Sequence, residues 1–219
     1  MSTSCLIVGA GPGIGQSCAL AFAREGYDVA IAARDTSRLA GMRPAIANAS
    51  GRQVRAYAAD ASDYGSLHTL VEQVRADLGD PEVLVFNVAS AHRGRPTQLD
   101  AEAWVEDYRA NVGAALLLAQ LVSPAMKARG KGTILLTGGG FAYEPAAGFA
   151  SLSACKAALR NLAYTLAQEL GAHGIHVATV SVYGVVQTGT AFDPSRIAQS
   201  FVNLHRQRRG QFETELVYK

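Results

Sequence analysis

Short, continuously apolar segments alternate along the chain with longer segments in which apolar residues recur every three or four positions. The first kind predicts buried β-strands, and the second predicts α-helices with one buried face. The predicted strands cover residues 5–10, 29–33, 54–58, 83–86, 133–136, 175–182 and 212–218. The predicted helices cover residues 15–25, 36–49, 64–78, 101–126, 152–170 and 194–208.

This order of elements predicts the fold class. Strands that are apolar on both faces, each followed by a helix, are typical of a parallel sheet covered by helices on both sides. Right-handed crossovers then give a doubly wound sheet whose ligands bind at the carboxyl ends of the strands. We therefore predict a three-layer αβα fold of the Rossmann type, with a mainly parallel seven-stranded sheet. Because no linker or internal repeat interrupts the pattern, residues 1–219 are predicted to form a single domain.

The composition narrows the classes of partner. A chain of 219 residues with 49% hydrophobic residues and 22 glycines is typical of a compact α/β protein with tight turns. The net charge of +2 is small and scattered, so we expect no nucleic-acid partner. The basic run 206–209 is interpreted as a solvated helix face.

The three cysteines are odd in number and widely spaced, which argues against a disulfide framework and favours a cytoplasmic protein. Cys5 and Cys18 lie in apolar patterns and are expected in the core. We expect no signal peptide, no membrane span and no metal site, since the sequence has no segment typical of any of them.

A glycine-rich loop follows the first predicted strand and opens the first helix. It contains Gly9, Gly11, Gly13, Ile14 and Gly15. Glycines let the backbone approach a pyrophosphate at a helix N-terminus, where unpaired N–H groups and the helix dipole favour anions. A loop of this kind also occurs as a simple glycine-rich turn, but its place in a strand–helix–strand unit favours dinucleotide binding.

The end of the second strand indicates which dinucleotide is bound. A site for NAD usually has an acidic residue here that accepts hydrogen bonds from the adenosine ribose, whereas this chain has Ala33 followed by Arg34. A guanidinium can hold a 2′-phosphate in a bidentate pair, so Arg34 favours NADP(H) over NAD(H). A surface arginine with no ligand is the alternative, and Asp35 beside it weakens the prediction for NADP(H).

The segment 151–156, Ser-Leu-Ser-Ala-Cys-Lys, resembles the Tyr-x-x-x-Lys signature of the short-chain dehydrogenase/reductase family. The resemblance assigns Lys156 to the lysine that holds the nicotinamide ribose and Asn111 to the active-site asparagine that breaks its helix. It also places Leu152 at the position of the catalytic tyrosine and Gly139 at that of the serine. The family fold and two of its four catalytic residues are therefore expected, without the proton donor.

The resemblance covers nearly the whole chain and implies further cofactor contacts. Asp60, with Ala61 beside it, follows the third strand where the family holds the adenine. Asn87 and Val88 lie in a segment, Phe-Asn-Val-Ala, that is similar to the family's Asn-Asn-Ala-Gly. Thr188 is similar to the threonine that holds the nicotinamide carboxamide.

Leucine has no proton to donate and glycine has no hydroxyl to orient a substrate, so general acid catalysis would need another titratable group. The candidates are Tyr143 after the fifth strand, Tyr183 at the end of the sixth strand, Cys155 and Lys156 itself. Each has a simpler interpretation as a packing residue or, for Lys156, as the ribose ligand. Ser151 and Ser153 are each turned about 100° away from Leu152 on a helix of 3.6 residues per turn.

The sequences of two loops near the expected substrate side indicate little about how a substrate binds. The connection 185–193 is short where the family commonly has a helical lid, which predicts a more open nicotinamide edge. His92, Arg93 and Arg95 follow the fourth strand, and both a solvated loop and contact with an anionic substrate fit them.

Three functions stay open. The chain is an NADP(H)-dependent oxidoreductase that acts on a small carbonyl or alcohol substrate by an atypical mechanism, a non-catalytic NADP(H)-binding regulatory protein, or a scaffold that has lost the cofactor. In this family the helices equivalent to 101–126 and 152–170 commonly form a four-helix interface, which implies a homodimer or homotetramer.

Overall fold

The computed structural model describes residues 3–219 and contains seven strands in one sheet. The strands are β1 (Ser4–Val8), β2 (Asp28–Ala33), β3 (Val54–Ala58), β4 (Val83–Phe86), β5 (Gly132–Gly139), β6 (Ile175–Val182) and β7 (Glu215–Tyr218). The helices are α1 (Ile14–Arg24), α2 (Thr36–Ser50), α3 (Tyr64–Leu78), α4 (Ala101–Tyr108), α5 (Ala114–Arg129), α6 (Ala150–Gly171) and α7 (Pro194–His205). All neighbouring strands are parallel, in the order β3-β2-β1-β4-β5-β6-β7. The predicted doubly wound, seven-stranded αβα fold is confirmed.

Alternate side chains of each central strand enter two separate apolar layers. In β1, Leu6 contributes to the layer shared with α3, α5 and α6, whereas Ile7 contributes to the layer shared with α1, α2 and α7. Successive side chains of a strand point to opposite faces, so a sheet covered on both faces needs apolar residues at every position. Full burial of a side chain such as Phe22 or Phe86 stabilises the fold by roughly 1.5–3 kcal/mol.

The long helix predicted over residues 101–126 is divided in the structure. A π-helical turn, Arg109–Gly113, separates α4 from α5, and α5 continues to Arg129. Asn111 lies inside this turn and is buried. Its amide binds Ser90 through two hydrogen bonds, with Ser90 N donating to Oδ1 over 3.0 Å and Nδ2 donating to Ser90 O over 2.7 Å. The helix is thus interrupted where one of its side chains is held by the loop after β4, as the family resemblance implied.

The carboxyl-terminal elements are shorter than predicted. Helix α7 ends at His205, so the basic run 206–209 lies in the turn after it, and its interpretation as a helix face is wrong. Arg206 forms a bidentate ion pair with Glu25 instead, at 2.7 and 2.8 Å. Strand β7 pairs with β6 over Glu215–Tyr218 alone.

Two histidine rings, that of the buried His176 and that of the partly buried His205, lie within the fold away from the ligand end of the sheet. His205 lies between Tyr27 and Thr133, with ring nitrogens 2.7 and 2.9 Å from their hydroxyls, and His176 stacks on Phe212. Burial lowers the pKa of both rings below the ordinary value near 6.5. Because the unfolded chain then binds more protons than the folded chain, the stability is complete above about pH 6.5 and falls as the pH drops through the folded-state values.

We therefore expect the urea midpoint of unfolding to decrease from pH 7 to pH 5, before carboxylates titrate. His205→Gln should reduce this pH dependence, because one of the two buried rings is removed, whereas His68→Gln, which alters an exposed histidine on α3, should leave it unchanged. Equal midpoints at pH 7 and pH 5 in the wild-type protein would contradict the assignment of the two rings as neutral.

Candidate functional site

A cleft of about 900 Å³ runs along the carboxyl ends of β1, β2, β3 and β4. It is the place where a doubly wound sheet binds ligands, because the crossover helices diverge on either side of it. Of the residues predicted to bind a cofactor, its walls contain Gly9, Gly11, Arg34, Asp60, Ala61, Asn87 and Val88. The structure therefore brings together residues that are up to 79 positions apart in the sequence, the distance from Gly9 to Val88.

Gly9 forms the floor of the cleft at the end of β1. Its φ of 86° lies in the left-handed region, and a Cβ atom added to it would lie 2.6 Å from the backbone carbonyl of Asn87. The Nδ2 atom of Asn87 donates a 2.9 Å hydrogen bond to Gly9 O, which fixes the two strand ends to each other. Gly15 is packed as tightly, since its Cβ would lie 2.6 Å from Gly9 O. These two glycines allow α1 to begin directly against the sheet.

The N-terminus of α1 is open to an anion. Aspartate side chains accept hydrogen bonds from the first turns of α2, α3, α4 and α7, whereas α1 begins after Gly13 with no side-chain cap. Unpaired N–H groups and the helix dipole attract phosphate at such an end. A Cβ on Gly11 or Gly13 would meet no atom within 4 Å, so the space before Ile14 is free. A pyrophosphate fits this cradle.

The acidic residue next to Arg34, Asp35, binds groups of the helix that it caps. The Asp35 carboxylate caps α2 by accepting from Ser37 N over 3.0 Å, and it pairs with Arg38 Nε at 3.1 Å. Hydrogen bonds from Ser37 hold the pKa of Asp35 below its ordinary value. Arg34 is exposed on the cleft wall and, within residues 3–219, forms no ion pair. Of the two side chains that follow Ala33, the carboxylate is thus engaged within the protein and the guanidinium is not.

Asp60 lines the cleft two residues after the end of β3, the strand that pairs with β2. Partial burial acts to raise the pKa of Asp60, but hydrogen bonds from Ser62, at 2.9 Å from N and 2.7 Å from Oγ, together with the Arg34 charge lower it overall. The carboxylate is therefore ionised and oriented by the turn that leads into α3.

Lys156 is buried behind the cleft wall and is connected to it through two residues. Its Nζ donates to Thr137 O over 2.6 Å, and Thr137 Oγ1 donates to Asn87 Oδ1 over 2.9 Å. Burial lowers the pKa of Lys156 to about 8. The neighbouring Cys155 thiol is also buried, and burial raises its pKa to about 11, so it is not a reactive thiolate at neutral pH.

The two positions that the resemblance assigns to the missing catalytic residues lie beside Lys156. A Cβ on Gly139 would lie 3.7 Å from Lys156 Cγ, which is an ordinary van der Waals contact. Leu152 is half-buried near the start of α6, one helical turn before Lys156.

The two tyrosines considered as replacements lie outside the cleft lining. The Tyr143 hydroxyl accepts a 2.9 Å hydrogen bond from Arg160 Nε, and the Tyr183 ring packs 5.5 Å from the Tyr143 ring. Burial raises the pKa of Tyr143, and Glu215 adds to this. Thr188 is exposed in the loop after β6 and also lies outside the cleft lining.

One buried charged residue was not anticipated from the sequence. Asp107 on α4 is fully buried and accepts hydrogen bonds from Ser90 Oγ (2.9 Å), His92 N (2.7 Å) and Ser151 Oγ (2.6 Å). Burial acts to raise the pKa of Asp107, but these donors lower it overall, so the carboxylate is ionised. The signal in the sequence was its spacing, because Asp107 lies four residues before Asn111 and hence on the same helix face.

Within residues 3–219, no helix is both long and apolar enough to cross a membrane. In the same part of the chain, no group of three or more His, Cys, Asp or Glu side chains is arranged to hold a metal ion.

Known proteins share both the sequence pattern and the fold. A probable oxidoreductase, EphD, of Mycobacterium tuberculosis is 30% identical over 183 residues, which are 83% of this chain but 31% of that protein. An uncharacterized oxidoreductase of Staphylococcus saprophyticus is 28% identical over 86% of this chain and 80% of its own length. This chain thus spans about a third of the mycobacterial relative.

A metagenomic short-chain oxidoreductase solved in complex with NADP has 27% identity and a TM-score of 0.90, over 99% of this chain and 97% of that one. The short chain dehydrogenase family profile matches residues 3–195, which contain the glycine loop, the cleft and Lys156. The chain therefore belongs to the short-chain dehydrogenase family.

Proposed function

We propose that the protein binds NADP(H) in preference to NAD(H) and transfers hydride to or from a small carbonyl or alcohol substrate by an atypical mechanism. The observation that carries the proposal is the state of two neighbouring side chains that both line the cleft after β2: the Asp35 carboxylate is engaged by Ser37 and Arg38, whereas the Arg34 guanidinium forms no ion pair within residues 3–219. A carboxylate directed at the ribose would repel a 2′-phosphate, whereas an unpaired guanidinium attracts it. The NADP in the similar metagenomic structure supports the same cofactor.

Each part of the cofactor has a matching group that lines the cleft or lies directly behind its wall. The N-terminus of α1 would hold the pyrophosphate, Arg34 the 2′-phosphate, Asp60 and Ala61 the adenine side, and Lys156 the nicotinamide ribose. Asn87 keeps the floor of the cleft in place through its bond to Gly9. When bound, the nicotinamide supplies or accepts the hydride. The chain's own part is to orient the two reactants and to move the accompanying proton.

A second candidate is a non-catalytic NADP(H)-binding regulatory protein. The observation that favours it is the pair of residues beside Lys156, since neither Leu152 nor Gly139 carries a group that can transfer a proton or orient an oxygen. Both candidates share the cofactor and differ in turnover, so the cofactor is tested first.

The assembly is proposed to be a homodimer or homotetramer. Val105, Tyr108 and Leu116 are large apolar or aromatic side chains exposed on α4 and α5, with 59%, 45% and 39% of their surface accessible. Exposed apolar side chains that gather on one face are typical of a protein–protein contact, and these three lie in the segment 101–126 that the family resemblance places in the interface.

Titration of the purified protein with NADPH and with NADH, by calorimetry, tests the cofactor. We expect tight NADPH binding and weak NADH binding. Arg34→Ala should weaken NADPH binding by about 10- to 100-fold, because a hydrogen bond to a charged group contributes roughly 1.5–3 kcal/mol, and it should leave NADH binding unchanged.

Arg43→Ala is the matched control, since Arg43 is an exposed arginine on α2, the helix that follows Arg34, and does not line the cleft. Equal affinity for the two nucleotides, or equal losses in the two variants, would contradict the role of Arg34. Failure of the wild-type protein to bind either nucleotide would refute the function as a whole.

A further inference from the structure

The loop after β4 places an imidazole at the wall of the cleft. His92 lines the cleft together with Ser90 and Ala91, and its side chain is 50% exposed. The ring Nδ1 lies 3.2 Å from Oδ1 of Asp107, whose side chain is fully buried. One ring nitrogen is thus fixed by a buried carboxylate. For the other, Nε2, residues 3–219 provide no hydrogen-bond partner, and the ring borders the solvent-filled cleft.

The loop around this imidazole is held rigidly. Besides the ring contact, His92 N donates to Asp107 Oδ2 over 2.7 Å, and His92 O accepts from Ser151 Oγ over 3.3 Å. Ser151 also donates to Asp107 over 2.6 Å, so one serine contacts both members of the pair. A side chain fixed at its backbone and at one ring nitrogen is positioned as precise proton transfer requires.

The pair also lies next to the position that lacks its proton donor. Ser151 immediately precedes Leu152 in α6, and Gly94 in the His92 loop is bridged to Phe149 at the start of the same helix. The loop that carries the imidazole therefore packs against the helical turn in which the family would place its tyrosine. A donor on this loop is thus carried by an element that neighbours the family's tyrosine position.

A carboxylate that accepts from Nδ1–H fixes the tautomer of a histidine, directs Nε2 outward and stabilises the protonated ring. The buried Asp107 carboxylate has no other ion-pair partner within residues 3–219. Its ionised form is maintained by Ser90, Ser151 and the His92 backbone. These groups make His92 able to act as a general acid, with Asp107 orienting it.

We propose that His92 is the proton donor that replaces the family tyrosine, and that Asp107 is its positioning residue. This assignment rests on the proposed NADP(H)-dependent function. In the reductive direction, the hydride adds to the carbonyl carbon with its two electrons, and the C–O π pair moves to the oxygen. The oxygen takes the proton from Nε2 of His92, which gives the alcohol and leaves a neutral imidazole. The half-exposed ring regains its proton from water.

The ring signals of His92 give a readout that needs no turnover. The charged groups around the ring are Asp107 in contact with it, Glu106 and Arg109 on the cleft wall, and Arg93 on the same loop. NADP⁺ differs from NADPH by one positive charge on the nicotinamide, and a charge several ångströms from a ring changes the electric field at its nitrogens. If His92 lies beside the reacting atoms, its ring ¹⁵N signals therefore differ between the NADP⁺ and NADPH complexes.

The experiment records ¹⁵N-detected ring signals of the histidines in the full chain at pH 7, with saturating NADPH and with saturating NADP⁺. His92→Gln identifies the signal, and the exposed His68 on α3 serves as the internal control whose ring signals should be equal in both complexes. In parallel, NADPH oxidation with butane-2,3-dione is measured. His92→Gln should slow it by about 10²- to 10⁴-fold with unchanged NADPH affinity, and His68→Gln should not alter it.

Asp107→Asn separates positioning from catalysis. The amide keeps the size of the side chain but removes its charge, so we expect a changed pH profile for NADPH oxidation and shifted His92 ring signals. Equal His92 ring signals in the two nucleotide complexes, or an unaltered rate in His92→Gln, would overturn the assignment and leave the proposed function standing. Failure of the protein to bind either nucleotide would overturn the proposed function, and the assignment with it.

Discussion

Leu152→Tyr combined with Gly139→Ser should raise the rate of NADPH-dependent carbonyl reduction by about 10²- to 10⁴-fold, the range that a positioned general acid contributes. The tyrosine would supply a hydroxyl proton one helical turn from Lys156, whose ammonium lowers the pKa of a neighbouring phenol. The serine hydroxyl would orient the substrate oxygen. The measurement is the oxidation of NADPH at pH 7 with butane-2,3-dione, in the wild-type protein and in the double variant.

The structure can accept both side chains. The Cβ of a residue at position 139 would lie 3.7 Å from Lys156 Cγ, so a serine requires no movement of the backbone. Leu152 is half-buried, so the side chain at this position is not fully enclosed and a larger ring can be accommodated. We therefore expect the free energy of unfolding of the double variant to lie within about 1.5 kcal/mol of the wild-type value.

Leu152→Phe combined with Gly139→Ser is the matched control, because it adds the same ring without its hydroxyl and should give no increase in rate. In the tyrosine background, His92→Gln should have little further effect, since the phenol has taken over proton donation. An unchanged rate in the tyrosine variant, with NADPH binding retained, would show that position 152 does not face the reacting oxygen.

The fold could be predicted because its signal is local. Continuous apolar runs such as residues 29–33 are required by a sheet with two buried faces, and the alternation of Leu6 and Ile7 between the two apolar layers shows why no polar position interrupts them. The glycine loop could also be predicted from the sequence, since Gly9 adopts a positive φ directly after β1. Each of these features is a property of a few consecutive residues.

The polar cluster around Asp107 could not be predicted in this way. Its hydrogen bonds join residues 15, 17 and 44 positions apart, and nothing in the local pattern states that these segments meet. The π turn also depends on a contact between distant residues, because Asn111 is held by Ser90, which lies 21 residues earlier. Periodicity alone predicts one continuous helix there, and tertiary contacts override it.

The N-cap role of Asp35 has a local signal in the sequence. Aspartate is a favoured N-cap residue, and Ser37 two positions later offers the backbone N–H that such a cap binds. Taken with the helical pattern that follows, the sequence already indicated that this carboxylate is engaged locally. The prediction for NADP(H) from Arg34 is stronger with Asp35 assigned to the cap.

Gly9→Ala should lower the free energy of unfolding by roughly 2–5 kcal/mol, the sum of a left-handed backbone at a non-glycine residue and an overpacked contact. The added Cβ would lie 2.6 Å from the Asn87 carbonyl and 2.9 Å from Val88 N, where no flexible side chain can move aside. The measurement is urea unfolding without nucleotide, so that stability is separated from binding.

Gly11→Ala isolates the other role of the loop. Gly11 lines the cleft, its φ is not positive, and an added Cβ meets no protein atom within 4 Å, so the free energy of unfolding should change by less than about 0.5 kcal/mol. The same methyl group would occupy space that the pyrophosphate needs, and we expect NADPH affinity to fall at least about tenfold, since each tenfold loss corresponds to roughly 1.4 kcal/mol. Wild-type NADPH affinity in Gly11→Ala would show that the phosphates do not lie on this loop. Wild-type stability in Gly9→Ala would show that β1 and β4 end farther apart than the bond from Asn87 to Gly9 requires.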